Sequence, residues 1–576
     1  MERHQGKRHI YPARLHALRN WRLLLIVCVV MAGFPLTSAQ ATPMQPEQRA
    51  SVTPAQPSQG PGAVYFPFIS AGALTTPPSP ARFEPSACSI APPQGFDVTC
   101  GYLSVPESRQ QPTEQRLQLA VMIVHATGAN PATDPVVFLQ GGPGAAAIEL
   151  TGLLVQSYAP VLEQRDLIMI DQRGTGFSRP VLPCPYPSFP SSQQTLAQRL
   201  GLIDTAQQAD PIQDAVALLT QCYATLTQAG INVAAYNSAE NAADLADLRQ
   251  ALGYERINLI GGSYGTRLAL TIMRDHPDAL RSVVLDSVYP LQENFQIATY
   301  ASLDQALQNL FDGCAADAAC NAAYPNLATV FDTLVERLNT TPAEVPITDP
   351  ATDQVITVPF TGDDLTMLLF RLLYDTGIIP VLPKLITDTS QDNYELLSNI
   401  LSLFFSSAGG LSLGMTTAVQ CSEDATFATA EDFRASRAAH PRTQALQYTI
   451  LYNEAFLDVC AAWNLTTPNP VENEPVTSPI DTLVITGEYD PITPSQWGTL
   501  AVETLESSFI VPAYPRGGHV PSVVSPCLAS VMAAFLDAPT QEPDSSCLAA
   551  DAPLPFVTTP EEAMSLLEDS SSVYLP

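Results

Sequence analysis

The chain has 576 residues, 46% apolar and 14% charged, a balance that argues against a disordered protein and leaves room for two domains or one large core with an insertion. Its 57 acidic residues against 26 basic ones give a formal charge of −31, a field that repels phosphate backbones and makes nucleic acid a poor partner.

Residues 1–41 have the pattern of an export signal. Arg3, Lys7, Arg8, Arg14, Arg19 and Arg22 precede the uncharged apolar run from Leu23 to Phe34, and Ala39-Gln40-Ala41 offers small residues for cleavage. The run is about half of the ~20 residues a bilayer span needs. An uncleaved anchor is the competing reading. Six of the 26 basic and one of the 57 acidic residues lie in this leader, so the remainder stands near −36. The expected location is therefore exported, secreted or associated with the cell envelope, with no membrane partner beyond export. Residues 42–80, rich in Pro, Ala, Ser and Gln, read as a disordered tether.

Short aliphatic runs follow: Leu119 to Val124, Val136 to Leu139, Leu167 to Ile170, Ile257 to Ile260, Ser282 to Leu285, Leu483 to Ile485 and Phe509 to Val511. Runs of this length suit strands buried on both faces, and the helical stretches between several of them predict an α/β fold with a mostly parallel sheet. The interval 291–475 is dominated by helical stretches and is expected to form a helical cap inserted into a core made of 81–290 and 476–548. Residues 549–576 read as an acidic tail. Of the 11 cysteines, the ten beyond the leader fall as successive couples. That order predicts bridges Cys88–Cys100, Cys184–Cys222, Cys314–Cys320, Cys421–Cys460 and Cys527–Cys547. No C-x-x-C pair or Cys/His cluster suggests a metal, and none is expected.

Gly261-Gly262-Ser263-Tyr264-Gly265 stands where a strand-like run gives way to a helical one. A serine in that corner is forced into a tight turn above the sheet, near helix N–H groups that stabilise developing negative charge; a plain glycine turn or an anion-binding corner is the bland alternative. A serine hydroxyl needs a base. Four histidines lie beyond the leader: His125 in a strand run, His276 after the elbow helix, His440 in the cap, and His519 in a glycine-flanked loop after the last apolar strand. His519 fits by chain order. The orienting acid is expected at the end of the preceding strand, where "GEYDPITP" offers Asp490, with Glu488 and Asp481 as rivals. Thr493 can bond that carboxylate or cap the next helix, and the cap is the expected role. Oxyanion donors are expected at the backbone N–H of Tyr264 and at Gly141 or Gly142 in "QGGPG".

Together "QGGPG", "DQRGTGFS", "GGSYG", "GEYDPITP" and "GGH" resemble the proline iminopeptidase family of α/β-hydrolases, most of all its secreted tripeptidyl-aminopeptidase branch, over roughly residues 95–547. The resemblance implies an α/β-hydrolase fold with Ser263 as nucleophile, Asp490 as acid and His519 as base. It also implies hydrolysis of small peptide or aminoacyl substrates from the free N-terminus, without a cofactor. Gln140 departs from the family's usual histidine before the two glycines. Asp171 and Arg173 are read as loop architecture. A cap acid is expected to hold the substrate amine, with Glu293, Asp304, Glu423 and Asp424 as candidates. The alternative on the same scaffold is a carboxylesterase acting on small esters.

Overall fold

The computed structural model describes residues 80–570 apart from 112–113, 186–209, 350–353, 407–410, 466–468 and 552–553. The expected leader, nearly all of the tether and the end of the acidic tail lie outside the described residues.

Among the described residues nine strands form one sheet: β1 (Arg82–Pro85), β2 (Val98–Pro106), β3 (Arg116–Val124), β4 (Val136–Leu139), β5 (Leu167–Ile170), β6 (Ile257–Gly262), β7 (Leu280–Asp286), then β10 (Asp481–Ile485) and β11 (Ser508–Ile510). Their spatial order is β1-β2-β3-β5-β4-β6-β7-β10-β11. From β5 through β11 every pairing is parallel, and β1, β2 and β3 add an antiparallel edge. This is the α/β-hydrolase architecture. The sheet is covered on both faces, as its parallel strands require, and β3 on the antiparallel edge is buried on both sides in the same way. Leu117, Leu119, Val121 and Ile123 enter the apolar core on one side, while Ala120, Met122 and Val124 enter the core on the other. The second and first strands were not read from sequence, because Cys100, Gly101, Tyr102 and Ser104 break the apolar run of β2.

The interval 291–475 has two different packings. Residues from Tyr300 to Ile400 build a separate apolar core, which also takes in Phe556, Val557 and Leu567 from the chain's acidic end. Most buried apolar residues from Leu413 to Trp463 pack instead with the core beside the sheet, while Leu446 and Tyr452 join the cap core. The first part is not purely helical: β8 (Ala343–Asp349) and β9 (Gln354–Phe360) form an antiparallel hairpin. Val345, Ile347, Val358 and Phe360 bury one face of it, a period-two pattern interrupted by Pro346 and Pro359. All five expected disulfides are present. Among the described residues no helix is long and apolar enough to cross a membrane.

Candidate active site

β6 ends at Gly262 and the helix Tyr264–Asp275 begins two residues later, so Ser263 is the entire turn. Its backbone lies at φ 58° and ψ −128°, a conformation few L-residues adopt, and it is held there by Ser263 N–H donating to the Asp286 carbonyl and Thr266 N–H donating to the Ser263 carbonyl. Gly261 and Gly265 make the corner sterically feasible. A Cβ on Gly265 would lie 2.0 Å from the Leu139 carbonyl oxygen, and one on Gly261 would lie 2.6 Å from the Gly265 oxygen.

Asp490 follows β10 and His519 follows β11, two loops that meet at the same edge of the sheet. His519 Nδ1 is 2.8 Å from Asp490 Oδ2. Asp490 is buried and also accepts from the N–H groups of Ile492 and Thr493 and from the Thr493 hydroxyl. Burial alone would raise its pKa, but the neighbouring imidazole and these donors outweigh it and hold the carboxyl below its ordinary value. Thr493 does not cap the following helix. Its Oγ1 lies 2.8 Å from Asp490 Oδ2 and 3.1 Å from His519 Nδ1, whereas Ser495–Val502 begins at Pro494 with no side-chain cap. The rivals stand elsewhere: Asp481 accepts from Ser507 at the opening of β10, and Glu488 accepts from the Arg516 N–H. His125 pairs with Asp166 and His440 with Asp304.

The imidazole loop is held from both sides. Below, Val520 N–H donates to Ser287 Oγ and Ser522 N–H to the carboxyl of Asp286, at the end of β7. Above, His519 N–H donates to the Tyr374 carbonyl, Gly518 N–H donates to Thr376 Oγ1, and the Tyr374 ring meets the imidazole edge-on at 4.8 Å between centroids.

Ser263, His519, Gly141 and Gly142 line one cavity of about 200 Å³, whose other walls are largely apolar, including Leu154, Phe295, Phe370 and Leu451. Among the described residues no hydrogen bond joins the Ser263 hydroxyl to the imidazole, and no acceptor takes the N–H of Gly141 or of Tyr264. Catalytic hydrogen bonds often tighten only once substrate is bound. A Cβ on Gly141 would sit 2.8 Å from Ser263 Cβ and 3.2 Å from its Oγ, so only glycine lets this backbone lie against the serine. Asp171 takes the N–H groups of Ala147, Ile148 and Phe177, and Arg173 pairs with Asp244; both brace loops rather than face the cavity.

None of the four cap acids named from sequence lines this cavity. Glu423 is buried against Arg267 and Ser238, and Asp424 accepts from the Tyr289 hydroxyl. Asp304 pairs with His440 and Arg442, and lies with Glu293 in a separate surface hollow. The acid that does line the cavity is Asp375. It is buried; Oδ1 accepts from Gly377 N–H, and Oδ2 has no hydrogen-bond partner. Burial pushes its pKa up against the pull of the Gly377 and Ile378 N–H groups. Sequence gave no signal for it: "YDTG" reads as an ordinary helix-terminating turn.

Comparison with known proteins places these features in context. Residues 134–345 match the family model described as alpha/beta hydrolase fold, and residues 449–547 match the one described as TAP-like protein. The serine protease Hip1 of Mycobacterium tuberculosis is 25% identical over 441 residues, 71% of this chain and 80% of that one. The tripeptidyl aminopeptidase of Streptomyces lividans is 28% identical over 244 residues, 39% of this chain and 42% of its own. Carboxylesterase B of Mycobacterium tuberculosis is 26% identical over 238 residues, 38% of this chain and 42% of its own.

Proposed function

Taking as premise that the chain is an α/β-hydrolase with a TAP-like C-terminal region, we propose that it is an exported serine aminopeptidase that cleaves short peptides from the free N-terminus. Ser263 attacks the scissile carbonyl while His519 takes its proton. Asp490 holds the imidazole tautomer and stabilises the imidazolium. The N–H groups of Tyr264 and of Gly141 or Gly142 receive the oxyanion. His519 passes that proton to the departing amine as the C–N bond breaks, and water, with His519 again as base, hydrolyses the acyl-enzyme and frees Ser263. The relatives with peptidase names, Hip1 and tripeptidyl aminopeptidase, support the choice of amide over ester.

The observation that carries the aminopeptidase reading is the open oxygen of Asp375. A buried carboxyl facing an apolar cavity with one oxygen unpaired is unfavourable by itself, and an α-ammonium group completes it. A small ester has no cation to offer. The carboxylesterase reading draws on the apolar walls of the cavity and on the carboxylesterase B relative. Three substrates separate the two: a free-amine peptide arylamide, its N-acylated form and a simple aryl ester. The proposal expects kcat/KM to be highest on the free amine. Equal or better turnover of the blocked amide would overturn it, and turnover of the ester alone would establish the esterase. Export is read from the leader and fits the five disulfides.

A further inference from the structure

We infer that Gln172 is a positioning residue that aims the Gly141 N–H into the oxyanion hole by holding the carbonyl of Gln140. The inference rests on the serine-hydrolase reading above and concerns how its oxyanion loop is kept in place.

Gln172 Nε2 donates to the Gln140 carbonyl at 2.8 Å. That carbonyl and the Gly141 N–H belong to one peptide group, which is planar and trans, so they point in opposite directions. Fixing one fixes the other. The peptide lies directly against the nucleophile, since a Cβ on Gly141 would come within 3.2 Å of Ser263 Oγ, and its N–H has no acceptor among the described residues.

The donor itself is held rigidly. Its neighbour Asp171 accepts from the N–H groups of Ala147, Ile148 and Phe177, Arg173 donates to Asp244 and to the Glu107 and Ala235 carbonyls, and the Gln172 carbonyl accepts from both the N–H and the hydroxyl of Thr175. Gln172 is 2% exposed and its Oε1 has no partner. Leaving a buried amide oxygen unsatisfied is costly, so a residue kept only for filling space would be better served by an apolar side chain of the same shape. The amide is explained by its donor end. Farther along the loop, Thr416 Oγ1 donates to the Pro143 carbonyl and Ser412 N–H to the Gly144 carbonyl. Those contacts hold the far end, and among the described residues it is Gln172 that holds the peptide next to the serine.

Removing an oxyanion donor outright costs roughly 10²- to 10³-fold in kcat, so misaiming one is expected to cost roughly 10- to 100-fold. Gln172→Met keeps the shape and removes the donor, while Gln172→Glu also sets a carboxylate against the Gln140 oxygen. Both are to be measured on the free-amine arylamide, together with affinity for a peptide boronic acid, which forms a tetrahedral adduct on the serine, and for the product peptide, which does not. The inference expects kcat and boronate affinity to fall by the same factor while KM, product affinity and thermal midpoint stay near wild type. If Gln172→Met folds poorly, Gln172→Asn keeps an amide in the site but withdraws it from Gln140, and the same parallel fall is expected. A kcat within twofold of wild type in the folded variants, or a loss confined to KM or stability, overturns it. Inactivity of the wild type on every acyl substrate would instead sink the hydrolase reading and is seen before any variant is made.

Discussion

The two walls of the cavity are built on opposite terms. On the sheet side, the catalytic pair is densely bonded: Asp490 has four donors, and the imidazole loop is tied to Ser287, Asp286, Tyr374 and Thr376, although Asp286 Oδ1 beneath it has no partner. On the cap side, the segment after the helix Gly362–Leu372 contributes Asp375 with one oxygen left open. Asp490 and the backbone of the His519 loop, which must hold still for chemistry, find their partners inside the fold, and the group assigned to recognition keeps one oxygen open toward the cavity. That division predicts that changes on the sheet side will act on kcat or on the fold, and changes to Asp375 on KM.

The largest effect is expected at Asp490. Asp490→Asn keeps the size but presents an amide to Nδ1, which leaves the imidazole in the wrong tautomer, and kcat should fall by roughly 10³- to 10⁴-fold. Asp481→Asn and Glu488→Gln, equally near in sequence, should leave steady-state rates within about twofold, because their partners are Ser507 and the Arg516 backbone. A large loss at Glu488 would return the acid's role to that rival.

Beneath the same loop, Asp286 supplies a stability effect of the sheet side alone. Burial raises its pKa from 3.8 to about 7, against the Ser522 hydrogen bond and the neighbouring imidazole. The sign follows from linkage: with the folded value above the unfolded one, the native state keeps a proton that the unfolded chain has released. This stabilisation is complete below about pH 4 and is lost as pH rises through about 7. Within that window the group makes stability fall by up to ~1.4 kcal/mol per pH unit. Asp171, raised to about 6 by burial, acts in the same direction. Urea denaturation from pH 4 to 8 should show the slope in wild type and a shallower one in Asp286→Asn. An unchanged slope would mean that Asp286 is ionised in the folded protein.

Legibility in the sequence followed the same division. The strands and the elbow were readable because an unbroken apolar run ending at glycine has few alternatives, and the placement of Asp490 and His519 followed from where such runs stop. The hairpin β8–β9 was not readable: Pro346, Pro359 and the acidic residues between them look like a loop, and only packing on the cap core selects strands. Asp375 was hidden for a different reason. A single acid in a turn carries no pattern, and what marks it is burial beside a cavity that many distant segments enclose. The role of Gln172 depends likewise on a contact with residue 140, 32 positions away.

Asp375 gives the sharpest contrast between the walls. Asp375→Asn removes the charge for an ammonium group without altering volume, and a charge-assisted hydrogen bond of this kind is worth about 1.5–3 kcal/mol. For the free-amine arylamide kcat/KM should drop by roughly 10- to 100-fold, mostly in KM, while the N-acylated substrate is unaffected. Equal losses on both substrates would show that Asp375 supports the His519 loop through its neighbours Tyr374 and Thr376 and does not read the amine.

The smallest effect is expected at Thr493, and it tests whether the full set of donors to Asp490 matters to catalysis. The hydroxyl has one hydrogen, which goes to Asp490 Oδ2, so Thr493→Val leaves the carboxylate three donors instead of four in an unchanged volume. A helix-cap role would show as a loss of ~1 kcal/mol in stability with kcat intact. A role in holding Asp490 against the imidazole predicts the reverse: kcat lower by roughly five- to tenfold, about the worth of one net hydrogen bond, with the thermal midpoint nearly unmoved. Thr493→Ser keeps the donor and should retain most of the rate. If valine at this position costs stability alone, three donors already fix Asp490, and the fourth belongs to packing.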